Sequence, residues 1–148
     1  MSIKIMLAED HAILRAGLQS LIDRQTDMEI VGHAENGRVA IDLAADLGPD
    51  VIIMDVSMPD MNGIEATRLI TAANSDIKII ALSILGEPDF VMEICKAGAA
   101  GHLLKDKLAE DLVLAIRAVV QGQPYLGAEV ATAAVRACQE AYVPVQLE

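Results

Sequence analysis

"VIIMDVSMPDMNG", residues 51–63, carries four apolar side chains, Val51 to Met54, into one carboxylate, Asp55, and then breaks. The apolar run is continuous rather than alternating, as expected of a parallel strand covered on both faces. Ser57, Met58 and Pro59 read as a turn, and Asn62 is placed to cap a following helix. A carboxylate at the mouth of a core strand loses hydration, which is costly unless a positive group meets it. The stretch therefore predicts a buried strand that delivers Asp55 to a fixed site.

The flanks repeat the strand–helix theme. Ile3–Ala8 reads as a strand, and Ile13, Leu14, Leu18, Leu21 and Ile22 follow at helical spacing. Met28–Ala34 reads as a second strand, and residues 39–47 as a helix stopped by Gly48-Pro49. After the helix capped by Asn62, residues 77–82 read as a fourth strand and Pro88–Ala97 as a helix stopped by Gly98. Residues 100–104 make a short fifth strand. Leu108–Val120 reads as a helix with Leu112, Ala115, Ile116 and Val119 on one face, ended by Gly122 and Pro124. Five βα units in succession predict an α/β domain, a doubly wound parallel sheet with helices on both faces. Such sheets bind ligands beyond the carboxyl ends of their strands. Glu9 and Asp10 follow the first strand there, Asp55 the third, Ser83 the fourth and Lys105 the fifth.

Composition narrows the class. A chain of 148 residues suits one domain with a short extension, and 53% hydrophobic with only 2% aromatic residues requires an aliphatic core. Net charge −11 argues against this chain gripping a nucleic-acid backbone by itself. Cys95 and Cys138 lie far apart with no CxxC pattern and read as reduced thiols. The N-terminal apolar run meets Glu9 and Asp10 too early for a signal peptide, and no stretch reaches the roughly 18 apolar residues of a membrane span.

Three acids gathered at one point repel one another, and together they suit a hard divalent cation, magnesium above all. A carboxylate beside such a cation is also a nucleophile, and attack on phosphorus gives an aspartyl phosphate. Lys105 and Ser83 then offer donors to the phosphoryl oxygens. Taken singly, Asp10 reads as a helix cap, Ser83 as a loop serine and Lys105 as a solvated charge. Five such residues at four strand ends favour the joint reading.

The motifs "LAEDH" (7–11), "IIMDVSMPDMNG" (52–63), "IIALSIL" (79–85) and "GHLLKD" (101–106) resemble those of a response-regulator receiver domain of bacterial two-component signalling. The resemblance covers residues 2–122. It implies the flavodoxin-like strand order 2-1-3-4-5, with Asp55 as phosphoacceptor. It implies magnesium held by Asp10, Asp55 and the Ser57 backbone carbonyl, with Glu9 acting through water. Ser83 stands at the position of the switching Thr or Ser, and Lys105 at that of the conserved-type lysine.

Residues 101–126 further resemble the NarL/FixJ (LuxR-type) branch, whose members usually carry a C-terminal helix-turn-helix. The resemblance implies a cytoplasmic phosphoprotein that regulates transcription. Its partner would be a sensor histidine kinase, it would form a homodimer on phosphorylation, and DNA would be reached only through a further domain. No enzyme activity is implied beyond self-catalysed aspartyl phosphorylation and dephosphorylation. The alternative is a stand-alone or phosphorylation-independent receiver acting as a protein-interaction module.

Two departures, His102 and Ile84, carry consequences, and Lys105-Asp106 in place of Lys-Pro is typical of this branch. His102 stands where Tyr or Phe commonly switches rotamer; it is expected to turn inward on activation, and its imidazole to make the read-out sensitive near neutral pH. The plainer reading is a surface histidine on an edge strand. Ile84 follows Ser83 where many receivers keep a small residue, and is expected to narrow phosphoryl access. No Pro follows Lys105 to make a cis bond cheap, and both isomers stay open.

The receiver is expected over residues 1–122. Residues 123–148 are expected to form a linker helix and tail, with an apolar stripe of Val130, Ala134, Ala137, Cys138 and Ala141. The helix-turn-helix is expected to be absent from this chain, as in an excised receiver. A strand-end Asp also serves metal-dependent phosphohydrolases, but Ser57 stands where their general acid belongs. A dinucleotide-binding domain needs a Gly-rich first turn, which "AEDHAILRAG" lacks.

Overall fold

Alternation along each strand sorts the apolar side chains onto two faces, and each face is covered by its own helices. The computed structural model describes residues 2–58, 62–84 and 88–126, the side chains of 88–91 excepted. The strands are β1 (Ile3–Ala8), β2 (Met28–Ala34), β3 (Val51–Asp55), β4 (Lys78–Ser83), β5 (Gly101–Leu104) and β6 (Tyr125–Leu126). The helices between them are α1 (Ala12–Asp23), α2 (Gly37–Leu47), α3 (Gly63–Ala73), α4 (Pro88–Ala97) and α5 (Leu108–Val120). All the pairings are parallel, in the order β2-β1-β3-β4-β5-β6.

Ile5 and Leu7 of β1 and Val51 and Ile53 of β3 join Leu18 and Ile22 of α1 and Leu112, Ile116 and Val119 of α5 in one core layer. Their strand neighbours Met6, Ala8, Ile52 and Met54 form the opposite layer with Ala40 and Ala44 of α2 and Ala66 and Ile70 of α3. Each fully buried Ile, Leu or Met contributes roughly 1.5–3 kcal/mol, so the central strands hold the sheet ends rigidly. β3 is buried at every position, as its continuous apolar run required. Ile13 departs from the expected helical stripe and is 91% exposed. It lies about 140° around the helix from Leu18 and so faces away from the sheet.

The expected order 2-1-3-4-5 is present, and a sixth strand extends it. Tyr125–Leu126 lies parallel to β5, with Gly101 opposite Tyr125 and His102 opposite Leu126. The Tyr125 hydroxyl donates to Asp111 Oδ1 at 2.9 Å, tying this strand to α5. Gly101 makes the pairing possible, since a Cβ there would lie 2.9 Å from the Tyr125 carbonyl oxygen. The sheet thus continues past residue 122, where the helical reading of the C-terminal segment had begun. The stripe from Val130 to Ala141 lies outside the described residues.

Among the described residues no peptide bond is cis, so Lys105-Asp106 is trans. No described helix is long and apolar enough to cross a membrane.

Candidate functional site

Four strands end at one edge, and their ends carry the polar residues. Asp55, the last residue of β3, is fully buried and would be an uncompensated charge there without partners. The Lys105 ammonium, just beyond β5, donates to its Oδ2 at 3.0 Å. The Ser57 amide donates to Oδ1 at 3.0 Å, turning the chain directly after the strand.

Gly63, the first residue of α3, packs against this turn. Its amide donates to the Val56 carbonyl at 3.2 Å, and a Cβ on it would lie 2.3 Å from the Asp55 carbonyl oxygen. The "NG" step is therefore a steric requirement of the Asp55 backbone as well as a helix start. Asn62 caps α3 as expected, its side chain accepting from the Glu65 amide at 2.9 Å.

Glu9 is also fully buried. Burial, then the neighbouring Asp55 carboxylate, push its carboxyl up to about 7, against the pull of hydrogen bonds from His11. The His11 amide and its Nδ1 each lie 3.1 Å from Glu9 Oε2. Glu9 Oε1 and Asp10 Oδ1 are buried with no hydrogen-bond partner, and the Lys105 ammonium is 4.0 Å from the former. Buried carboxylate oxygens without donors are what a hard dication satisfies. One donor atom from each of Glu9, Asp10, His11 and Asp55 falls within 4.8 Å of the others, so the residues fit a cation. His11 was not among the ligands expected from the sequence. Its position in "LAEDH" was the available signal.

The Ser83–His102 pair forms the other half of the site. Both are buried, and the Ser83 hydroxyl lies 2.7 Å from His102 Nε2. Ala81, opposite His102 across the β4–β5 pairing, packs with Val56 and Ile94 of α4 on this side of the sheet.

Two expectations for His102 are corrected here. It is not a surface residue but fully buried, and β6 pairs with the β5 edge that the sequence left open. Its imidazole does not titrate near neutral pH, because burial lowers its pKa to about 4. The ring already faces inward. Ile84 is 70% exposed at the rim.

These features define a doubly wound α/β domain whose sheet edge presents an acidic cluster facing a lysine. Residues 5–117 match the family model described as the response regulator receiver domain. The chain belongs to that family.

Among curated relatives it is 42% identical over 129 residues to the transcriptional regulatory protein LiaR of Bacillus subtilis, covering 87% of this chain and 61% of that protein. It is 36% identical over 129 residues to the response regulator GacA of Pseudomonas aeruginosa, covering 87% and 60%. The chain thus spans about three-fifths of the length of these relatives. A LuxR-family two-component response regulator from Aurantimonas sp. SI85-9A1 superposes with TM-score 0.87 at 30% identity, covering 95% of this chain and 99% of that one. The response regulator domain of Thermotoga maritima CheB gives 0.76 at 32% identity, covering 82% and 98%.

Proposed function

We propose that this receiver domain accepts a phosphoryl group on Asp55 from a sensor histidine kinase and passes the signal on through Ser83 and His102. The observation that carries the reading is the Lys105–Asp55 contact of 3.0 Å beside Glu9 and Asp10 oxygens that no hydrogen bond satisfies.

In the transfer, an Asp55 carboxylate oxygen attacks phosphorus in line. The P–O bond to Asp55 forms as the P–N bond to the kinase imidazole breaks, and the bonding pair leaves with that imidazole. The Lys105 ammonium, already on Asp55 Oδ2, moves its charge to the new phosphoryl oxygens. Magnesium, held by Asp10, Asp55 and the Ser57 carbonyl, with Glu9 through water, would neutralise charge on the transferring group. Hydrolysis of the acyl phosphate by water restores Asp55.

Phosphoryl oxygens offer Ser83 a charge-assisted acceptor, which is stronger than its neutral contact with His102. The hydroxyl that moves to the phosphoryl group releases Nε2, and His102 repacks beneath β6. The switch works by differential stability: the phosphoryl group favours the state in which the pair is broken.

The relatives' printed names, a transcriptional regulatory protein, a response regulator and a LuxR-family two-component response regulator, support a role in transcriptional regulation. In this reading the protein is cytoplasmic, dimerises on phosphorylation and reaches DNA through a further domain. Residues 1–122, with the β6 strand, are the receiver in this reading, and the segment beyond is the linker.

Acetyl phosphate with magnesium tests the phosphoacceptor. Mass spectrometry should find one phosphoryl group on the wild type and none on Asp55→Asn. A fully labelled Asp55→Asn protein removes Asp55 from the role.

A further inference from the structure

We propose that His11 is a side-chain ligand of the cation at this site. The site would then be a mixed oxygen–nitrogen centre that takes Mn2+, Co2+ or Ni2+ as well as Mg2+. The inference rests on Glu9, Asp10 and Asp55 forming a cation site, and adds a nitrogen donor to it.

His11 occupies the N-cap position of α1, yet its side chain makes no capping hydrogen bond. The ring turns back instead, so that Nδ1 lies 3.1 Å from Glu9 Oε2 and 3.4 Å from Asp10 Oδ1. Ligands at adjacent corners of an octahedron with bonds near 2.1 Å are about 3 Å apart. His11 Nδ1 and Asp10 Oδ1, 3.4 Å apart, therefore already stand near ligand-to-ligand spacing, with Glu9 beside them to reach the ion through water.

The unpartnered oxygens point independently to a bound ion. Glu9 Oε1, on a fully buried side chain, and Asp10 Oδ1 have no hydrogen-bond partner. The His11 side chain is 65% exposed, so its far nitrogen can hold the ring proton in water. When the ion binds, the ring proton that Nδ1 shares with Glu9 Oε2 passes to that far nitrogen, the Nδ1 lone pair turns to the ion, and the imidazole replaces one water ligand with no change of charge.

Magnesium gains little from an imidazole, since it prefers oxygen. Co2+ and Ni2+ gain most, in the Irving–Williams order. The nitrogen thus sets which cations compete at the phosphorylation site.

Mn2+ loaded into the intact chain gives a direct readout that does not depend on phosphorylation. Pulsed EPR should show 14N coupling from a directly bound imidazole in the wild type and lose it in His11→Ala, with Mn2+ still bound. In competition titrations, His11→Ala should weaken Ni2+ by about tenfold or more and leave Mg2+ nearly unchanged. Bound Mn2+ without 14N coupling, or a coupling that survives His11→Ala, overturns the ligand assignment alone. Mn2+ that fails to bind, or binds Asp10→Ala equally well, overturns the underlying cation site and the His11 inference with it.

Discussion

Replacing His102 by Phe should remove a specific component of acid sensitivity from the folded domain. His102 is fully buried, and burial lowers its pKa from an ordinary 6.5 to about 4. The unfolded chain takes up a proton on this residue near pH 6.5, whereas the folded domain does not until about pH 4. The resulting stability is complete above pH 6.5, falls as pH drops through the window and is lost by about pH 4. At about 1.4 kcal/mol for each tenfold displacement, the loss across the window is about 3 kcal/mol. That figure is a ceiling, because a protonated ring can also swing out to water.

Urea unfolding of wild type and His102→Phe at pH 7, 6, 5 and 4, in EDTA, isolates the effect. The carboxylates titrate in both proteins, so they cancel in the difference between the two pH profiles. Phe leaves the Ser83 hydroxyl without its imidazole partner, which lowers the whole Phe profile by a constant and leaves its slope alone. The wild type should therefore lose up to about 3 kcal/mol more than the variant between pH 6.5 and 4. Parallel profiles would refute a buried neutral imidazole. Those parallel profiles are also what the surface-like titration expected from sequence would give, because a pKa equal in both states adds no pH dependence.

Gly63→Ala should cost about 1–3 kcal/mol by overpacking and move the amide shifts of Asp55 and Val56, because the new methyl would lie within 2.3 Å of the Asp55 carbonyl oxygen; unchanged shifts would contradict that contact. Asp10→Ala should weaken Mg2+ binding at least tenfold by titration, through loss of one hard oxygen ligand and one charge, and unchanged affinity would place the ion elsewhere. Adding beryllofluoride as a phosphoryl mimic should shift amides around Ser83 and across β5 in the wild type. The β5 part of that change should shrink in His102→Phe, and identical patterns in the two proteins would take His102 out of the switch.

Much of the architecture is local in origin and was therefore legible in the sequence. The continuous apolar run of residues 51–54 required a strand covered on both faces, and β3 is buried at every residue. Asn62 required a cap, and it accepts from the Glu65 amide. The bounds of β1, β2, α4 and α5 follow the periodicity of their own residues. Strand-end placement of Glu9, Asp10, Asp55, Ser83 and Lys105 came from the same pattern, since a parallel sheet brings all its carboxyl ends to one edge.

What required the tertiary structure is pairing between distant segments. Lys105 meets Asp55 across fifty positions of sequence and His102 meets Ser83 across nineteen, and no periodicity encodes those distances. The inward, neutral state of His102 depends on burial beside Ser83, and the β5 edge next to it is closed by Tyr125–Leu126, a two-residue strand too short to show alternation. Gly63 looked like a helix-starting glycine until the Asp55 backbone was seen 2.3 Å from the place a Cβ would take. Sequence specifies which residues reach the edge of the sheet. Burial and contact, which arise only when the segments pack, decide how those groups hold their protons and which partners they meet.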